Sequence, residues 1–279
     1  MKKLLLPLLL LFVLLSASCG KSDVTTDPEK SPEPNPITTP VCKILSAELY
    51  FQNKLFGSAS LTYNTNGSIS KIASTSDTAF TSFNVVYSNE KVVLKTKYYG
   101  DYTFTLDAQQ RVIRTETNGG YFECNITYNA EGYISGVVSR SGTSTANHTF
   151  SYQNGNLKSI ISKLDNGGTT TTNFIYNTDI AIEPLLNIDP LRFADIYHPL
   201  VGLFGKRSKN MLVSADVISY FGNPEIYSRR NTGYTYEKDT EGKIAKITVN
   251  EVETDNSPNR TPYIKSTNNY FFIIKYNCN

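Results

Sequence analysis

The residues best suited to chemistry gather in one stretch of the chain. Asp195 and His198 have the composition of an acid–base pair, because a nearby carboxylate can orient an imidazole and balance its charge, and Arg192 and Tyr197 lie beside them. Shortly afterwards Lys206, Arg207 and Lys209 concentrate cations in the way that suits phosphate or sulfate. Each pattern has a plainer alternative: His198 ends a capping helix, and the cations form a solvated loop. With only 2 His and 4 Cys, a transition-metal centre is not expected, nor is a cofactor, since the chain has no phosphate loop, dinucleotide fingerprint, Gly-x-Ser-x-Gly elbow or His-Glu-x-x-His. A glycoside hydrolase needs only two carboxylates about 5–10 Å apart and leaves no such signature.

The elements that must position these groups follow from the repeats on either side. One phrase recurs: a Tyr or Leu, a polar turn often containing Gly, then a β-branched residue or Leu. It occurs as Tyr63-Asn-Thr-Asn-Gly67-Ser-Ile69, Leu106-Asp-Ala-Gln-Gln-Arg-Val112, Tyr128-Asn-Ala-Glu-Gly132-Tyr-Ile134 and Tyr236-Glu-Lys-Asp-Thr-Glu-Gly242-Lys-Ile244. Successive anchors at 63, 87, 106, 128, 152 and 176 are 19 to 24 residues apart, with a second turn between them, so each period is one hairpin with strands of about six to nine residues. Phe122, Cys124, Ile126 and Tyr128 alternate with Glu123, Asn125 and Thr127, giving one apolar and one polar face.

The fold class predicted is therefore all-β, an antiparallel meander of about a dozen strands closed into a barrel or barrel-like sheet. The rhythm breaks over about 177–233. There Asp189-Pro190 resembles an N-cap followed by Pro at the first helical position, and Leu191, Ala194, Tyr197 and Val201 recur at helical spacing. The expectation is one inserted helix that caps or plugs the barrel, with Arg192, Asp195, Tyr197 and His198 at a candidate pocket near its mouth. Closing the barrel brings the first and last strands together, which predicts a disulfide between Cys42 and Cys278 and leaves Cys124 as a buried thiol. Strands of six to eight residues are short for a tilted membrane span, which favours a soluble barrel.

The N-terminus supplies the compartment. Lys2 and Lys3, the apolar run Leu4–Leu15 and Ser16-Ala17-Ser18-Cys19 resemble a bacterial lipoprotein signal, so residues 1–18 are expected to be a signal peptide and Cys19 the acylated first residue of the mature chain. An ordinary soluble secretory signal is the alternative, because Ser16 stands where such lipoprotein signals most often have Leu. Residues 19–40, with Pro28, Pro32, Pro34, Pro36 and Pro40, form a tether to a domain over 41–279. Cleavage would remove two lysines and no acid, taking the formal charge from +2 to zero, so no nucleic-acid partner is expected.

Together with the Leu203-Phe-Gly205-Lys-Arg-Ser-Lys-Asn210 stretch, the signal, tether and hairpins resemble a Bacteroidetes family of secreted lipoproteins of unknown function with a porin-like β-barrel fold. The hairpin phrase alone is similar to the Tyr-Asp repeats of Rhs-type secreted proteins. The resemblance implies a barrel-like body and brings no catalytic residues. Asp77-Thr78-Ala79 resembles the short acceptor motif of protein O-glycosylation in Bacteroidetes, which makes Thr78 a candidate site. The function expected is a non-enzymatic lipoprotein of the cell envelope, held at the outer membrane, that binds a glycan, a lipid or an envelope protein. The alternatives are a structural surface protein without a small-molecule ligand, or a carbohydrate-active hydrolase.

Overall fold

Sixteen antiparallel strands form from the hairpin phrases and the segments between them. The structure is a computed structural model that describes residues 42–75, 82–96, 100–180, 203–220, 227–257 and 260–278. The strands are β1 (Cys42–Phe51), β2 (Lys54–Tyr63), β3 (Ile69–Ser74), β4 (Phe83–Tyr87), β5 (Lys91–Thr96), β6 (Tyr102–Leu106), β7 (Val112–Thr117) and β8 (Phe122–Tyr128). They continue as β9 (Ile134–Ser141), β10 (Ser144–Gln153), β11 (Asn156–Leu164), β12 (Thr169–Ile180), β13 (Asn210–Tyr220), β14 (Tyr227–Lys238), β15 (Ile244–Ser257) and β16 (Arg260–Cys278). Each pairs with its neighbour in sequence and β1 pairs with β16, so the sheet closes and no strand is left as an edge. Cys42 lies opposite Cys278 in that last pairing, and the two sulfurs are bonded.

The recurring phrase has a definite backbone form. Asp107, Asn129 and Asp239 open their turns, and the Oδ1 of each accepts two backbone N–H bonds from residues two and four positions on. The fourth residue of the turn must adopt positive φ, which Gly67, Gly132 and Gly242 do at 81–89° and Gln110 does at 61°. All these turns, with Cys42 and Cys278, lie at one end of the barrel, called here the turn end.

Four tyrosines near the turn end share one task. Tyr63, Tyr128, Tyr236 and Tyr276 donate their hydroxyls to the carbonyls of Ile44, Val112, Leu212 and Ile244 at 2.8, 2.6, 2.6 and 3.0 Å. In each case the ladder between the two strands has already stopped, its last pairs being Ser46↔Ser60, Arg114↔Asn125, Ser214↔Gly233 and Lys246↔Ile273. The phenol thus satisfies a carbonyl that adjacent hairpins leave behind as they splay. Lys43, Arg111 and Lys243, each next to the acceptor residue, sit over the Tyr63, Tyr128 and Tyr276 rings at 5.2, 4.3 and 5.9 Å.

A sixteen-stranded barrel of circular section would enclose a channel. Here Ile44, Leu49, Val92, Phe104, Val112, Ile160 and Val249, all on the inward face, are at most 1% exposed. These inward side chains pack into one apolar core, in which Phe204 also lies against Phe104. The outward face is charged instead. Arg114 pairs with Glu116 and Glu123, Arg229 with Asp216, and Lys275 with Glu48. A lipid-spanning barrel requires the opposite arrangement, with the apolar face outward.

Two expectations need correction. The stretch 177–233 is not one irregular insertion, because β13 and most of β14 lie within it and continue the meander. Its alternation was hidden because the inward face of β13 and β14 turns polar, at Ser219, Ser228 and Arg230. Strand length also varies more than the turn spacing implied, from 5 residues in β4 and β6 to 19 in β16. Strand length therefore does not separate this barrel from a membrane span, and the outward ion pairs are the feature that bears on the question. Among the described residues there is no α-helix, and the expected helix from Asp189 falls outside them.

Candidate functional site

At the end opposite the turns, the inward face of β14, β15 and β16 changes character. Along β15 the inward positions run Ile247, Val249, Glu251, Glu253 and Asp255, passing from 3% and 0% exposure for the first two residues to side-chain exposures of 8%, 12% and 31% for the acids. That gradient describes a mouth open to solvent. Register places Thr232 opposite Glu251 and Arg230 opposite Glu253 on β14, with Asn268 and Ser266 as their counterparts on β16. The same period-two geometry that packs the core thus carries a column of charge into the lumen.

Arg230 lies 3.9 Å from both Glu251 Oε1 and Glu253 Oε2, too far for a hydrogen bond to either. Lys265 Nζ is closer, 2.9 Å from Glu253 and 3.8 Å from Asp255. Burial pushes the Glu253 carboxyl up, but the hydrogen bond from Lys265 and the charges of Arg230 and Lys265 outweigh it and hold the group below the usual carboxylate range. An ionised Glu253 cannot donate a proton to a leaving group, the step for which glycoside hydrolysis uses a protonated carboxyl. The arrangement is suited to hydrogen-bonding recognition.

A second polar group crosses β9, β10 and β11 on the inward face. His148 is 4% exposed, with Nε2 at 2.9 Å from Ser139 Oγ and Nδ1 at 2.7 Å from Ser162 Oγ. Burial lowers its pKa to about 4, so the ring is neutral and one nitrogen donates while the other accepts. A Ser–His contact can serve nucleophilic catalysis, but here a hydroxyl stands where a carboxylate would orient the imidazole. The trio holds three strands in register.

Comparison with known proteins bears on the architecture. No protein-family model matches the chain, and no curated protein matches its sequence. Among solved structures it is similar to the crystal structure of a porin-like protein from Bacteroides uniformis, with TM-score 0.55 and 17% identity, over 83% of this chain and 96% of that one. The fold is porin-like. Among the described residues of this porin-like barrel, however, most of the inward face is apolar and buried, with polar groups toward the β14–β16 mouth and around His148.

The sequence-derived candidates fall elsewhere. Arg192, Asp195, Tyr197 and His198 lie outside the described residues, as do Cys19 and Thr78. Lys206, Arg207 and Lys209 belong to a strap, residues 203–209, that crosses the turn end. Phe204 is 2% exposed and meets Phe104 edge-on at 6.5 Å. Lys206 and Lys209 donate backbone N–H bonds to Gly132 and Gly155, so their side chains sit over two different turns and Lys206 Nζ faces the Tyr133 ring. Gly205 is required there: its φ is 74°, and a Cβ would come within 2.5 Å of the Gly132 carbonyl. The strap thus packs across the β8–β9 and β10–β11 turns and seats Phe204 in the core.

The mouth residues were missed. Their signal was present as Glu251, Glu253 and Asp255 at alternate positions, in phase with inward Ile247 and Val249. Following that phase past the last apolar residue would have found them.

Proposed function

We propose that the protein is a lipid-anchored, non-enzymatic binding module of the cell envelope, held at the outer membrane through Cys19 and engaging a glycan, lipid or envelope protein. The distribution of polarity is the observation that carries this reading. The outward wall bears ion pairs and the inward wall an apolar core, which suits attachment through acyl chains rather than through the barrel wall. A porin-like fold fits an envelope location, and a lumen with one polar mouth favours binding over passage. The Pro-rich segment before Cys42 supplies the reach between anchor and barrel.

Membrane fractionation tests the reading. The native chain should stay in the membrane pellet after a carbonate wash, and Cys19→Ala should be released. If Cys19→Ala remains in the washed pellet, lipid anchoring is wrong.

A further inference from the structure

The mouth leaves hydrogen-bonding capacity unused, and the geometry points to a binding site for a neutral glycan on the inward wall of β14–β16. This deepens the binding reading above and rests on it. Thr232 is the first observation. It is 0% exposed, its Oγ1 has no hydrogen-bond partner, and it stands on the inward face between Tyr234 and Arg230, opposite Glu251. A position that only had to fill space would be better served by Val, which has the same shape and no hydroxyl to leave unpaired.

The second observation is the looseness of the charges around it. Arg230 bridges Glu251 and Glu253 at 3.9 Å without bonding either, and its buried Nε–H also has no hydrogen-bond acceptor. Asn268 reaches Glu251 only at 3.4 Å. Two adjacent donors, from Thr232 and Arg230, therefore lie beside carboxylate oxygens that still have room to accept.

The balance of charge selects the ligand. An anion would gain Arg230 and Lys265 but would face Glu251, Glu253 and Asp255. A metal cation would meet the two basic side chains within the same group. A sugar hydroxyl donates and accepts at once, so neighbouring hydroxyls can take the Thr232 and Arg230 donors and give to Glu251 without adding charge. Tyr263 at the rim is 50% exposed, with its hydroxyl 3.3 Å from Asp255, and leaves a ring face for the C–H face of a sugar.

The test is binding of the detergent-solubilised full chain to an array of neutral gluco-, manno-, galacto- and N-acetylglucosamine oligosaccharides, alongside uronic and sialylated ones. Retention of at least one neutral series is expected. Thr232→Val should weaken it tenfold or more with a thermal midpoint equal to or above that of the native chain, and Arg230→Lys, which lacks the Nε donor, should also weaken it. Binding to no neutral series, or only to acidic glycans, overturns the proposal. So does native-like binding by Thr232→Val. A lowered midpoint for Thr232→Val overturns it too, because the hydroxyl would then be engaged internally through water. None of these outcomes touches the fractionation result, so failure of the glycan site is distinguishable from failure of the envelope reading.

Discussion

The two ends of the barrel use polar groups in opposite ways. At the turn end every tyrosine of the Tyr63, Tyr128, Tyr236 and Tyr276 set closes on a backbone carbonyl, and the strap seats Phe204 in the core. At the mouth Arg230 stands off from two glutamates and Thr232 Oγ1 is unpaired. Both ends are built from the same strands, so the difference lies in the partners each polar group is given. Satisfied groups fix a structure, whereas buried unsatisfied ones mark a place where the structure is incomplete by itself.

If the turn end is the clamped end, opening it should have the largest effect. Replacing Cys42 and Cys278 by Ser removes a link across a sequence separation of 236 residues, and the chain-entropy treatment gives a loss of about 5 kcal/mol, read as a lowered urea midpoint. An unchanged midpoint, or recovery of either cysteine as a thiol in a non-reducing peptide map, would break the comparison.

The next effect belongs to the mouth-side half. His148 has a pKa lowered from 6.5 to about 4 by burial, so between those values the unfolded chain binds a proton that the folded chain does not. Stability from this group is full above about pH 6.5 and is lost as pH falls toward 4, by about 3 kcal/mol in total. Unfolding titrations from pH 7 to 4 should show that slope, and His148→Gln should flatten it. A slope that persists in His148→Gln would assign it elsewhere.

The smallest effects sharpen the contrast most. Tyr236→Phe leaves the Leu212 carbonyl without its phenol donor and should cost about 1–2 kcal/mol. Thr232→Val deletes a hydroxyl as well, yet should cost nothing and raise the melting temperature slightly. Equal losses from the two would erase the distinction between the ends.

Much of the turn end was legible in the sequence, because its chemistry is local. An Asn or Asp that accepts from residues two and four ahead, with Gly at the position of positive φ, can be read from a few adjacent letters. The cations over Tyr63, Tyr128 and Tyr276 were not legible, since Arg111, for example, meets Tyr128 only through the register of strands from different hairpins. The mouth was obscured for another reason. Glu251 and Glu253 have the composition of ordinary solvated side chains, and only their phase with Ile247 and Val249 places them on the inward face. His198 stands among charged neighbours in sequence, whereas the partners of the buried His148, Ser139 and Ser162, are distant in sequence and come together only on flanking strands.

Closure of β1 on β16 has a mechanical consequence. The chain enters the barrel at Cys42 and leaves it at Cys278, the first pair of the seam. A pull on the segment before Cys42 would otherwise unzip that seam one hydrogen-bonded pair at a time, the weakest mode in which a sheet can be loaded. With the two sulfurs joined, tension crosses a covalent bond at the point of entry and is shared by both strands, so the seam must rupture along its length at once. A barrel tethered at one end and held by a ligand at the other would be loaded along that line.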